Sequence, residues 1–170
     1  MAEEITSEIF LNEWNETKKG VVQYMDRQES LCISMDLDKK GLGGIYESAY
    51  NAFKAEDYPQ AENLFFSLFL LDFKDHNFQI GLGAVYEAQE KFENAISMYT
   101  LAMMTGKRTP ELLFRTGKCL LATGQKEEAK IVFALAVESG ITHQGSDGKK
   151  SLEQLVAIEK SKKILALLNN

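Results

Sequence analysis

Proline and cysteine are scarce in this chain: two of each among 170 residues, with 12 glycines. Proline breaks helices by removing a hydrogen bond and clashing with the preceding turn, so its scarcity leaves long stretches free to be helical. The two thiols, Cys32 and Cys119, lie far apart and fit no metal-ligand spacing. Both have partly apolar neighbours, so they are expected to be buried free thiols, and no metal or cofactor is expected. Basic charge is also short, with 19 Lys and Arg against 25 Asp and Glu. A net charge of -6 argues against nucleic-acid binding, which needs clustered cations to neutralise phosphates. No apolar run approaches the roughly 20 residues needed to span a membrane. The N-terminus, MAEEITSEIF, is acidic where a secretory signal is basic. A cytoplasmic protein is therefore expected.

What the chain does have is a period. Ala61, Ala95 and Ala129 are spaced 34 residues apart. Four residues after each comes an aromatic: Phe65, Tyr99 and Phe133. Twelve residues before each sits a small residue: Ala49, Gly83 and Gly117. This phase of small and aromatic positions marks tetratricopeptide repeats, in which each unit is a helix, a short turn and a second helix. The fold expected is all-α: three tandem repeats in an α-solenoid, with an N-terminal helix and a C-terminal capping helix. The repeats run 42–75, 76–109 and 110–143, so the domains expected are 1–41, 42–143 and 144–170. Turn chemistry agrees. Asp57 precedes Tyr58-Pro59-Gln60, an N-cap with Gln three residues on. Thr109-Pro110 places an N-cap before a proline at the first helical position. Gly124 breaks the third pair. In repeat one, Leu68 stands where a small residue is usual.

The flanks fall outside the period. A helix from about residue 7 to 28 would carry Phe10, Leu11, Trp14, Val21, Val22 and Met25 on one face. It would cap repeat one or make a subunit contact, with Phe10, Trp14, Val21 and Met25 as the dimer residues. At the other end, Gly140 to Lys150 reads as a polar loop. Ser151 with Gln154 then opens a helix through a capping box. Leu152, Leu155, Val156, Ile158, Ile164, Leu165 and Leu168 are expected on its core-facing side.

In tetratricopeptide repeats the first helix of each pair lines the binding surface, at the second, fifth, ninth and twelfth places. Here these are Gly43, Tyr46, Tyr50 and Phe53, then Asn77, Ile80, Ala84 and Glu87, then Glu111, Phe114, Lys118 and Leu121. Three aromatics in repeat one would thus face outward, and exposed apolar patches usually mark interaction sites. Lys54 and Lys118 are candidates to meet a ligand carboxylate or carbonyl.

Three stretches go beyond a generic repeat: GGIYESAYNAFKAEDYPQAENLFFSLFLLDF, NFQIGLGAVYEAQEKFENAISMY and LFRTGKCLLATGQKEEA. They resemble the class II chaperones of bacterial type III secretion systems. The features that carry the resemblance are Tyr46, Ala49-Tyr50 before Phe53, Tyr58 in the turn, Leu71-Asp72-Phe73, Gly81-Leu82-Gly83-Ala84, Gly117 and Cys119-Leu120-Leu121. The resemblance implies an ATP-independent cytosolic chaperone that keeps hydrophobic translocators soluble and apart. It implies homodimers, and an extended cargo segment of PxLxxP type held in a groove. Carried over by position, Tyr46, Tyr50, Phe53 and Tyr58 would form the first pockets, and Ile80, Ala84 and Phe114 would continue the surface. Two departures stand out. Asp36-Leu37-Asp38 replaces a small Gly-Ile segment, and Gly43-Gly44 should fray the first repeat helix.

Two other readings compete. A general tetratricopeptide scaffold or adaptor that reads an acidic peptide terminus needs a basic clamp. Asn77 and Lys118 against Glu87 and Glu111 make a poor one. An enzyme needs a nucleophile and a base, yet His76 and His143 fall at repeat boundaries with no partner at meaningful spacing. Gly81-Leu82-Gly83 lies within a helix rather than after a strand, so it is no phosphate loop. No catalysis is expected.

Overall fold

A computed structural model of the chain describes residues 39–106, 108–142 and 151–169, together with Glu16 and Lys19. The expected N-terminal helix, its contact residues Phe10, Trp14, Val21 and Met25, and the loop at 143–150 lie outside the described residues. Among the described residues all regular structure is helical, in seven α-helices. They are α1 (Lys39–Lys54), α2 (Tyr58–Leu71), α3 (His76–Ala88), α4 (Phe92–Thr105), α5 (Pro110–Ala122), α6 (Lys126–Thr142) and α7 (Leu152–Leu168). They belong to two compact units, the first holding α1 to α4 and the second α5 to α7.

The helix starts are written locally. Asp57 accepts the Gln60 backbone N–H at 3.2 Å, with Pro59 in the first turn of α2. Asp75 accepts from Asn77 N–H at 2.8 Å and starts α3. Thr109 Oγ1 accepts from Leu112 N–H at 3.4 Å, and Pro110 opens α5. Ser151 and Gln154 complete both arms of a capping box on α7, at 3.2 and 3.1 Å. Each cap satisfies a donor that the first helical turn leaves orphaned. Two expectations are corrected. Gly43-Gly44 does not fray the first repeat helix, because α1 starts at Lys39 and runs through the pair. Gly140 does not begin the loop either, since α6 continues to Thr142.

The turns inside the helix pairs share one device. Glu56, Glu90 and Gly124 all have positive φ, at 61°, 60° and 82°, and they too are 34 residues apart. The left-handed conformation reverses the chain between paired helices. Glycine adopts it without the steric penalty that the two glutamates bear.

Packing follows the period. In the first unit Ala49, Ala61, Phe65, Leu68, Phe78, Leu82 and Val85 form one core between α1, α2 and α3. Leu68 is fully buried where Ala102 and Ala136 occupy the equivalent places in α4 and α6. The periodic glycines admit the periodic rings. A Cβ on Gly83 would lie 2.6 Å from Tyr99 Cε1, and one on Gly117 would lie 2.7 Å from Phe133 Cε1. The glycines thus let α3 and α5 approach the next helix of each pair closely enough to bury a whole ring. Burying such a side chain contributes roughly 1.5–3 kcal/mol. Tyr99 is wholly buried and donates its hydroxyl to Glu87 Oε2 at 2.6 Å. Gln79, also wholly buried, donates Nε2 to the Phe73 carbonyl at 2.5 Å. Its Oε1 accepts from Thr105 Oγ1 at 2.6 Å, tying the α2–α3 turn to the end of α4.

In the second unit Leu112, Leu113, Cys119, Leu120, Val132, Phe133 and Leu135 are buried, with Ala157, Ile158 and Ser161 from α7. Cys119 is buried, as expected; Cys32 lies outside the described residues. On α7 the expected face holds at Ile158, which is buried, and at Ile164, Leu165 and Leu168, which are half-buried, but not at its start. Leu152, Leu155 and Val156 are 77%, 46% and 42% exposed. The small residues Ala157 and Ser161 are buried beside Ile158 instead.

Candidate functional site

The aromatic face of α1 is built by helical spacing. Tyr46, Tyr50 and Phe53 recur at steps of four and three, so they share one side of the helix. Their burial is graded. Tyr46 is half-buried, with its ring edge-on to Phe65 at 5.7 Å and tilted against Phe78 at 6.0 Å. Burial pushes its phenol above the ordinary tyrosine pKa, and the nearby Asp75 and Tyr50 add to the effect. Phe53 is half-buried, 5.9 Å from the Tyr58 ring at the start of α2. Tyr50 is 48% exposed, and the Lys54 ammonium lies 5.6 Å from its ring centre. Tyr50 is therefore the ring of this face most open to a ligand.

Beside Tyr46 lies a hollow of about 390 Å³, lined by Leu42, Gly43, Tyr46, Asp72, Asp75, Asn77 and Phe78. Its base is apolar and its rim is acidic. One oxygen of each rim carboxylate is engaged locally: Asp72 accepts from Lys74 N–H at 3.3 Å, and Asp75 from Asn77 N–H. Gly43 contributes by absence, since nothing stands within 4 Å of where its Cβ would be. Repeat positions had pointed to Gly43, Tyr46 and Asn77. Asp72 and Asp75 come from the turn before α3, and a first-helix rule does not reach them. The signal that could have found them is the Asp-x-x-Asp spacing around Phe73 and Lys74.

The remaining first-helix positions differ in what they offer. Ile80 is half-buried on α3, whereas Ala84 is 9% exposed and presents little surface. In the second unit Phe114 is half-buried, 6.0 Å from the Phe133 ring. Lys118 lies 6.0 Å above the same Phe114 ring, and Leu121 is half-buried further along α5. A cation above a ring is a weak attraction worth roughly 0.5–1 kcal/mol at exposed sites. Lys54 and Lys118 thus each cover an aromatic face. No group of three or more His, Cys, Asp or Glu among the described residues could hold a metal ion. No described helix is long and apolar enough to cross a membrane.

Helical pairs in a 34-residue period define the class: a tetratricopeptide-like helical-repeat protein, here with an aromatic face and an acidic-rimmed hollow. Comparisons with known proteins narrow it. No protein-family model matches the sequence. The chain is 30% identical over 109 residues to Low calcium response locus protein H of Yersinia pestis, covering 64% of this chain and 65% of that protein. It is 29% identical over 118 residues to chaperone protein SicA of Salmonella typhimurium, covering 69% and 70% of the two chains. Its structure resembles the type III secretion chaperone SycD of Yersinia enterocolitica, solved with a peptide of the translocator YopD. There the TM-score is 0.67 at 26% identity, over 78% of this chain and 95% of that one. The chain is therefore similar to type III secretion chaperones, and it spans just under two thirds (65%) of the length of the Yersinia relative it matches.

Proposed function

We propose that this protein is a cytoplasmic chaperone of a type III secretion system. It holds an extended PxLxxP-like segment of hydrophobic translocator proteins on its first-helix faces, and so keeps those proteins soluble and apart before export. The observation that carries this reading is the graded aromatic face of α1 beside the hollow at Tyr46. A flat or fully buried set of rings would offer no seat for leucine and proline side chains.

Tyr46, Tyr50, Phe53 and Tyr58 form the first pockets, and Ile80, Ala84, Phe114, Lys118 and Leu121 continue the surface. An extended segment loses conformational entropy on binding, and burial of its apolar side chains offsets that loss at about 25 cal/mol per Å². The resulting affinity is roughly micromolar, tight enough to shield cargo and weak enough to release it without ATP. The protein performs no catalysis, and its N-terminal segment makes the homodimer contact through Phe10, Trp14, Val21 and Met25.

The test is a fluorescence-polarisation titration with labelled PxLxxP-type peptides. Wild-type protein gives saturable binding, and Tyr50→Ala weakens it about tenfold, or roughly 1.4 kcal/mol. Normal binding by Tyr50→Ala and Phe53→Ala, with helicity intact, would remove the aromatic face from the mechanism. No binding by any such peptide would favour a general scaffold instead.

A further inference from the structure

The outward side chains of α7 are not scattered. Leu152 and Val156 border a cleft of about 280 Å³ between α5 and α7, lined also by Glu111, Phe114, Arg115, Glu153, Ala157 and Lys160. Ala157, 4% exposed, forms its floor, and Phe114 and Val156 form its walls. The charge around it is divided. The Lys160 and Lys118 ammonium groups lie 5.9 and 6.0 Å from the centre of the same Phe114 ring. Glu111 and Glu153 stand in the first turns of α5 and α7, about one helical turn before Phe114 and Val156. An apolar floor with the Lys160 ammonium against its Phe114 wall complements an apolar side chain with a carboxylate beside it. One turn of helix rises about 5.4 Å, and an extended strand about 3.3 Å per residue. The carboxylate that meets Lys160 therefore belongs one or two positions from the apolar residue.

We propose that the α5–α7 cleft is a further peptide subsite. It seats a leucine-sized side chain against Phe114, Val156 and Ala157, and draws an acidic residue one or two positions away to Lys160. This rests on the peptide-binding reading above and deepens it: α7 is part of the binding surface and not only a cap. The subsite favours extended segments of the form apolar–x–acidic, a sequence preference separate from the proline and leucine pattern assigned to α1.

The probes are three capped pentapeptides: Ser-Leu-Ser-Asp-Ser, its Asn analogue Ser-Leu-Ser-Asn-Ser, and Ser-Ser-Ser-Asp-Ser. Each is titrated into the isotopically labelled full chain and followed by backbone amide shifts. The expected result is saturable shifts at residues 111–118 and 152–160 with the first peptide. Binding is at least threefold weaker with the Asn analogue and absent without leucine. Lys160→Glu lowers affinity for the acidic peptide at least threefold, and Val156→Asp abolishes it. Both side chains are exposed, and the spectra themselves report whether the fold persists. Equal binding of the Asp and Asn peptides, or shifts that map elsewhere, would overturn the subsite. So would a Val156→Asp variant that changes oligomeric state while binding the peptide normally, since the cleft would then be a contact between copies. A PxLxxP peptide titrated into the same sample reads the amides around Tyr46 and Tyr50. Silence there with an intact response at α7 removes the proposed function of α1 alone, and the reverse removes this subsite alone.

Discussion

Replacing Gly83 by alanine tests the packing argument with two effects of opposite sign. Alanine favours a helix interior by up to about 1 kcal/mol over glycine. Against this, the new methyl would sit 2.6 and 2.7 Å from two Tyr99 ring carbons and 3.3 Å from Met98 Cβ. The ring cannot easily retreat, because Tyr99 is fully buried and its hydroxyl is held by Glu87 at 2.6 Å. Overpacking of this kind costs about 1–3 kcal/mol. With both ring contacts under 3 Å and the ring held, the cost falls in the upper half of that range, so the net is a loss of about 1–2 kcal/mol, or several degrees in Tm for a chain of this size. Gly44→Ala is the matched control, since nothing lies within 4 Å of its Cβ in the middle of α1. It gains the helix term alone and stabilises by up to about 1 kcal/mol. Urea denaturation followed by circular dichroism reads both. If Gly83→Ala is as stable as the parent or more so, the glycine does not exist to admit the ring, and the explanation of the 34-residue phase fails.

Other outcomes follow from the same structure. Gln79→Leu removes the bonds to the Phe73 carbonyl and to Thr105, and should destabilise by about 1–3 kcal/mol, with faster hydrogen exchange in the α2–α3 turn. Glu90→Gly should be neutral to stabilising by urea denaturation because it relieves a positive φ, whereas Gly124→Ala should cost about 1 kcal/mol. The Lys91 ammonium, 2.9 Å from Glu62 Oε2, holds the Glu62 carboxyl below its ordinary pKa. A depressed carboxylate stabilises above its unfolded pKa and loses that effect as pH falls through the folded value. The pair's contribution, at most about 1 kcal/mol, should therefore fade as pH falls through the acid range below the ordinary carboxylate pKa and be absent in Glu62→Gln, as denaturation at several pH values would show.

The repeat core was legible because it is periodic and chemically narrow. Small residues at 83, 95, 102, 117, 129 and 136 and rings at 65, 99 and 133 each have one workable role in close-packed helix pairs, and they occupy it. The caps at Asp57, Thr109 and Ser151 were equally readable, because a side-chain acceptor before a helical run has a local purpose. Three things were not. The left-handed turn residues Glu56 and Glu90 hide the period that Gly124 shows, because the fold overrides a preference of about 1 kcal/mol. The buried role of Gln79 depends on Thr105, 26 residues away, and a single polar residue announces no such partner. The start of α7 was misassigned because the large side chains of Leu152, Leu155 and Val156 were counted as inward, whereas Ile158, Ile164, Leu165 and Leu168 are buried or half-buried as expected. The small residues Ala157 and Ser161 are buried there instead. For the candidate site, repeat positions point to the rings of α1, of which Tyr50 is exposed and Tyr46 and Phe53 are half-buried, while the acidic rim at Asp72 and Asp75 comes from turn geometry outside them.

The central claim is that the α1 face receives cargo, and site-directed photocrosslinking tests it most directly. Benzoylphenylalanine at position 50 of the full chain should crosslink a labelled PxLxxP peptide in good yield, and unlabelled peptide should compete it away. The same group at position 63, on the exposed side of α2, should not. Equal crosslinking from both positions, or none from position 50 under conditions where the peptide binds, would contradict the account.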